Sequence, residues 1–230
     1  MGTVVEFPSY CWKDKIEYPH KEELTQRIIN EFEDSNIMNG YFDEFTTTAF
    51  MRDFGNPHQS SVDAGDDIIV EDLIKVIENK FKEYLQFYQI STLFFIRRMW
   101  YTFYQEGTLT RQHNHTHSTF SGVYYLKFNK QVHTPTLFHN NNFWGDIKED
   151  VIVPVLPEID EDDIIFYPSR TSHSARSVDT NVYRILIAFD IFCPDISTFE
   201  MEKNQLLVDS DKYIDPHNFS SVDPQKITYT

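Results

Sequence analysis

Cysteine is scarce in this chain of 230 residues, long apolar runs are missing, and positive charge is in the minority. Two cysteines, Cys11 and Cys193, are too few for a disulfide framework and lack metal-ligand spacing. That usage fits a reducing compartment, with the cytoplasm as the expected location. No stretch of about 18 uninterrupted apolar residues occurs, so no membrane span is expected. The opening "MGTVVEFPSYCWKDK" lacks the basic-then-apolar order of an export signal. With 20 Lys and Arg against 36 Asp and Glu, the net charge is -16 and the pI about 4.8. Such a molecule repels nucleic-acid phosphates and anionic membranes, so neither is expected as a partner. Internal repeats and low-complexity segments are missing too. What is present is a core: 40% hydrophobic and 16% aromatic residues, including 20 Phe and 13 Tyr, exclude a disordered chain.

The pattern divides near Ile90. Before it, "PHKEELTQRIINEFEDS" sets Leu24, Ile28 and Phe32 at helical spacing with acidic residues early, where the helix dipole favours them. A second helix is expected over "VEDLIKVIENKFKEYLQFYQ", whose stripe of Val70, Leu73, Ile74, Ile77, Phe81, Tyr84, Leu85 and Tyr88 suits packing on a sheet. After it come β-branched and aromatic runs broken by turns, among them "FSGVYYLKFN", "VIVPVLP", "DDIIFYPS" and "VYRILIAFDIF". The expected class is α+β, mainly β, with helices covering one face of a sandwich or barrel. The whole chain, 1–230, reads as a single domain: a core of about 90–193, N-terminal helical support over 1–89, and a polar extension over 194–230.

Chemistry concentrates in "RQHNHTHSTFSGVYYLKF", where His113, His115 and His117 fall on every second position. In an extended chain residues i and i+2 share a face roughly 6.6 Å apart, within reach of one ion, whereas i and i+4 are about 13 Å apart. At most two of the three therefore serve one centre, and His117 reads as an entrance residue. "DDIIFYPSRTSHSARS" supplies a third ligand, His173, just after another strand. Two histidine-bearing strands resemble the facial triad that leaves positions open on Fe(II), although His115 stands where a carboxylate is usual. Arg184 lies eleven positions after His173, on a strand, and a guanidinium there is a fork for a carboxylate. The ordinary readings are a hydrogen-bonded surface pair for His113 and His115, and an ion pair for Arg184. Arg170 and Arg176 flank His173 as loop charges or contacts for an anionic substrate. Trp100, Tyr124 and Phe166 read as core, and His133 and His139 as surface.

The segments "MWYTFYQEG", "HNHTHSTFSGVYYLKF", "DIIFYPSRTSH" and "YRILIAFDI", in that order over about residues 93 to 193, resemble the 2-oxoglutarate and Fe(II)-dependent oxygenases. The resemblance implies a double-stranded β-helix (a jelly roll, cupin-like). It places the metal on His113, His115 and His173, and the 2-oxoglutarate arginine on Arg184. The cofactors it implies are Fe(II) and, as cosubstrate, 2-oxoglutarate. O2 and a substrate, either a small molecule or a peptide side chain, complete the reaction: hydroxylation with release of succinate and CO2. Two departures stand out. His115 leaves the iron with three neutral ligands, and Leu186 occupies the position where many oxygenases carry a serine, leaving Tyr101 or Tyr125 as the other hydroxyl for the far carboxylate. Two alternatives stay open: a three-histidine dioxygenase that does not use 2-oxoglutarate, and a non-catalytic jelly-roll metal-binding module.

Overall fold

The alternation of apolar residues that marks each strand sorts the chain into two antiparallel sheets facing each other. The computed structural model describes residues 3–4, 11–34, 49–54, 67–139 and 157–196. In chain order the elements are β1 (Thr3–Val4), β2 (Trp12–Lys15), α1 (Lys21–Asp34), β3 (Phe50–Asp53), α2 (Ile68–Phe87), β4 (Phe95–Tyr104) and β5 (Thr110–His113). They continue with β6 (Phe120–Lys127), β7 (Leu137–Phe138), β8 (Asp163–Pro168), β9 (His173–Ala175) and β10 (Arg184–Phe192). One sheet runs β1-β2-β8-β6-β10-β4-β3 and the other β5-β9-β7. This is a double-stranded β-helix with two helices on the outside of its large sheet.

Strand parity decides what each face of the large sheet does. On the outer face, Phe103 of β4, Phe120 and Tyr124 of β6, Phe166 of β8, and Ile187 and Phe189 of β10 form one buried cluster with the helices. The apolar stripe of α2 supplies Leu73, Ile77, Phe81, Tyr84 and Leu85 to it, and Asp67 caps the helix by accepting from the Val70 N–H. Phe81 sits at the junction, its ring 5.3 Å from both Phe120 and Phe166. The backbones also come close here. A Cβ on Gly122 would stand 2.3 Å from the Phe189 ring and 2.6 Å from the Ile165 carbonyl oxygen, so only glycine fits this point of "SGVYY".

The inner face lies toward the small sheet. Trp100, Thr102 and Tyr104 of β4 and Leu186, Ala188 and Asp190 of β10 turn inward and, with residues of β5 and β9, line a cavity of about 320 Å³. His133, expected at the surface, is buried: its Nε2–H donates to the Val182 carbonyl and its Nδ1 accepts from the Asn129 N–H, which ties two loops together. Cys11 and Cys193 are both free and buried. No helix among the described residues is long and apolar enough to cross a membrane. The strand expected over "VIVPVLP" and the extension over 194–230 lie almost wholly outside the described residues.

Candidate metal centre

Three histidines converge from two connected strand ends. His113 closes β5 and His173 opens β9, and the two are direct partners in the ladder. His115 follows two residues after β5, where its backbone N–H donates to the Ser169 carbonyl at 2.8 Å. One ring nitrogen from each of His113, His115 and His173 lies within 4.8 Å of the other two. The rings are 4.3 to 5.1 Å apart. His117, expected at the entrance, lines the cavity but does not join the group.

The outer hydrogen bonds settle which nitrogen faces inward. His113 Nδ1 is 2.9 Å from the Arg111 carbonyl and His173 Nδ1 is 2.9 Å from the Thr171 carbonyl. A carbonyl only accepts, so each Nδ1 carries a proton, and in the neutral ring Nε2 keeps its lone pair. His115 Nδ1 is 2.6 Å from Asp190 Oδ1, which fixes the same tautomer. All three rings are thus held in the metal-binding form by partners on their far side, the usual outer shell of a histidine metal site. Burial, and then the neighbouring imidazoles, hold His173 well below the ordinary histidine range, so it stays neutral and its Nε2 open to a cation. Beside it, the Tyr167 hydroxyl is 3.3 Å from that Nε2. Burial raises the Tyr167 phenol far above its usual range and keeps it a neutral donor. Trp100 stacks on His115 at 5.6 Å, and Arg98, paired through two nitrogens with Asp53, lies over the Trp100 ring. Trp100 is therefore a wall of the site as well as a core residue.

Arg184 opens β10 directly opposite Tyr104 of β4. It is 1% exposed, its guanidinium lies 4.0 Å over the Tyr104 ring, and it donates to the carbonyls of Thr134 and Arg176. Among the described residues no carboxylate pairs with it and its buried Nε–H has no partner. A buried cation with a free donor fits a dianionic cosubstrate that brings its own carboxylate. Arg184 does not itself line the cavity: Tyr104, Thr110 and Thr136 do so at that end, with the Tyr104 hydroxyl 2.8 Å from Thr110 Oγ1.

The two tyrosines proposed beside Arg184 have different fates. Tyr125 is fully buried on the inner side, but its hydroxyl donates to Thr136 Oγ1 and accepts from the Thr136 N–H, and burial pushes it up to about 12. Tyr101 is corrected: it points to the helices and donates to Glu31 at 2.7 Å, because odd-numbered β4 residues near it face outward. Tyr104, of opposite parity, is the phenol on Arg184. Sequence reasoning missed Tyr104, Tyr167 and Asp190. Only Asp190 left a signal, as an acid within the apolar run "RILIAFDIF".

Residues 98–190 match the family model described as "Putative 2OG-Fe(II) oxygenase". The matched stretch runs from β4 into β10 and contains all three converging histidines, so it is similar to that family where the candidate site lies. Among solved structures the chain is similar to a Pseudomonas putida prolyl-4-hydroxylase, with TM-score 0.56 at 10% identity, covering 78% of this chain and 91% of that one. It is also similar to the viral collagen prolyl hydroxylase of Paramecium bursaria Chlorella virus-1, with TM-score 0.51 at 13% identity, covering 82% and 98%. A third is the non-heme α-ketoglutarate-dependent epimerase SnoN of nogalamycin biosynthesis, with TM-score 0.55 at 11% identity, covering 79% and 77%. At such identities these likenesses establish the fold. No curated protein matches the sequence significantly.

Proposed function

We propose that the protein is an Fe(II)- and 2-oxoglutarate-dependent oxygenase in which His113, His115 and His173 hold the Fe(II) and Arg184 binds the far carboxylate of 2-oxoglutarate. The observation that carries the reading is the common hydrogen-bond pattern: each Nδ1 is engaged, which leaves Nε2 as the ligand atom, and one ring nitrogen from each histidine lies within 4.8 Å of the other two. Three protein ligands leave further positions on a six-coordinate ion, where a closed structural zinc site normally takes four. The iron, when bound, supplies oxygen activation coupled to decarboxylation of 2-oxoglutarate to succinate and CO2.

The protein's own residues then orient and exclude. Arg184 holds the far carboxylate in a region without bulk water, with the Tyr104, Thr110 and Thr136 hydroxyls as donors along the approach. Leu186, Ala188 and Val123 line the cavity with apolar surface, which keeps water from the reacting end. Tyr167, its hydroxyl 3.3 Å from His173 Nε2, would stand beside the bound metal as a neutral donor. Met51, Asn114, Thr116 and His117 line the same cavity and are the residues available to meet the substrate, a C–H bond of a peptide side chain or small molecule.

The test is succinate release from 2-oxoglutarate and O2 by purified protein with added Fe(II). Wild type forms succinate and His173→Ala does not. Metal binding without any succinate turns the reading toward the three-histidine dioxygenase, and no metal binding removes the centre altogether.

A further inference from the structure

The three-histidine set leaves a question of charge. A facial triad with one carboxylate lowers the charge of a bound dication by one, and three neutral imidazoles lower it by none. The structure has a carboxylate one hydrogen bond outside the centre. Asp190 Oδ1 is 2.6 Å from His115 Nδ1 and also accepts from Ser121 Oγ at 2.7 Å. The His115 and Asp190 side chains are only 12% and 14% exposed, and Ser121 is fully buried, so solvent screens the pair little. Asp190 is a charged residue among apolar neighbours on β10, and its strand parity turns it into the cavity wall with Leu186 and Ala188. The other two ligands have neutral backbone carbonyls in the equivalent position, Arg111 and Thr171. At Nδ1 the histidine that stands in the carboxylate's place meets a carboxylate, where the other two meet a carbonyl.

From this asymmetry we infer that Asp190 is a positioning residue that supplies, through His115, the negative charge the coordination sphere lacks. It fixes the His115 tautomer and ring angle, and its charge increases the donor strength of Nε2. Ser121 holds Asp190 in register by the second hydrogen bond to the same oxygen. The inference rests on His115 being a ligand, and it reverses what a simple carboxylate replacement does here. His115→Asp alone sets two carboxylates side by side without the imidazole proton between them. Its gain is therefore visible only when Asp190 is neutralised.

The experiment uses Co(II) alone, followed by calorimetry and by the Co(II) absorption spectrum, on the full chain. The proteins are wild type, His115→Ala, Asp190→Asn, His115→Asp and the double variant His115→Asp/Asp190→Asn. Asn keeps the size and an acceptor oxygen, and a thermal melt of each protein reports its folding. Asp190→Asn is expected to weaken Co(II) binding 10- to 100-fold, on the order typical of an outer partner of a ligating histidine. The double variant is expected to recover affinity toward wild type and to bind more tightly than either single variant. Undiminished binding by Asp190→Asn overturns the inference, provided His115→Ala has lost affinity. Loss in Asp190→Asn without recovery in the double variant overturns the charge role, leaving Asp190 a mere prop. Undiminished binding by His115→Ala sinks the three-histidine reading itself, a failure distinct from the other two.

Discussion

Replacing Arg184 by leucine should abolish useful 2-oxoglutarate binding while leaving the metal site intact. The guanidinium is 1% exposed, so its interaction with an incoming carboxylate is not diluted by solvent. Losing one partner of a buried, hydrogen-bonded charge pair costs about 2 to 5 kcal/mol, and at 1.4 kcal/mol per decade the dissociation constant rises roughly 30- to 4,000-fold. The fold itself is less affected. Leucine leaves the Thr134 and Arg176 carbonyls without their donors, at about 1 to 3 kcal/mol each if no water replaces them. The removal of an unpaired buried cation with a free Nε–H offsets part of that cost. Co(II) binding should be unchanged, because neither Arg184 nor its partners touch the three histidines. The assay is calorimetric titration of 2-oxoglutarate into the Co(II)-loaded protein, with Co(II) affinity measured beside it. Unchanged 2-oxoglutarate affinity in the leucine variant would refute the reasoning. The carboxylate partner would then be sought among Arg97, Arg98, Arg111 and Lys127, of which Arg98 is already paired with Asp53.

His173→Ala removes a ligand buried at the centre and should abolish Co(II) binding by calorimetry, whereas His117→Ala, outside the convergent group, should leave it unaltered. Burial holds His133 below its ordinary range in the folded protein, so as pH falls below about 6.5 the unfolded chain takes up a proton that the folded one refuses. Stability carried by His133 is therefore full at neutral pH and lost on acidification. His133→Gln should show a smaller drop in melting temperature between pH 7 and pH 5 than wild type, and an equal drop would count against the assignment. Gly122→Ala forces a Cβ to 2.3 Å from Phe189 and should destabilise by about 1 to 3 kcal/mol or more in urea unfolding. Phe81→Ala, which empties the junction of α2 with β6 and β8, should cost about 3 to 5 kcal/mol by the same measurement.

Much of this protein was legible in its residues alone. Both helices follow from 3.6-residue stripes, and Leu73, Ile77, Phe81, Tyr84 and Leu85 are buried as that periodicity requires. His113 and His115 at i and i+2, with His173 after a strand, were recognisable as one group because a strand's geometry limits which side chains can meet. What local pattern did not carry was strand parity against partners far away in the chain. Tyr101 and Tyr104 are equally aromatic and three residues apart, yet one faces Glu31 and the other Arg184, since an odd offset along a strand exchanges the faces. Asp190 lies 75 residues from His115 and acquires its meaning only where β10 passes beside the end of β5. His133 looked like a surface residue until two loops closed over it. Residue type and spacing determined which histidines could come together. Tertiary structure decided which carboxylate, phenol and carbonyl stand behind each of them, because those contacts depend on how the two sheets are stacked, and no local period encodes that stacking.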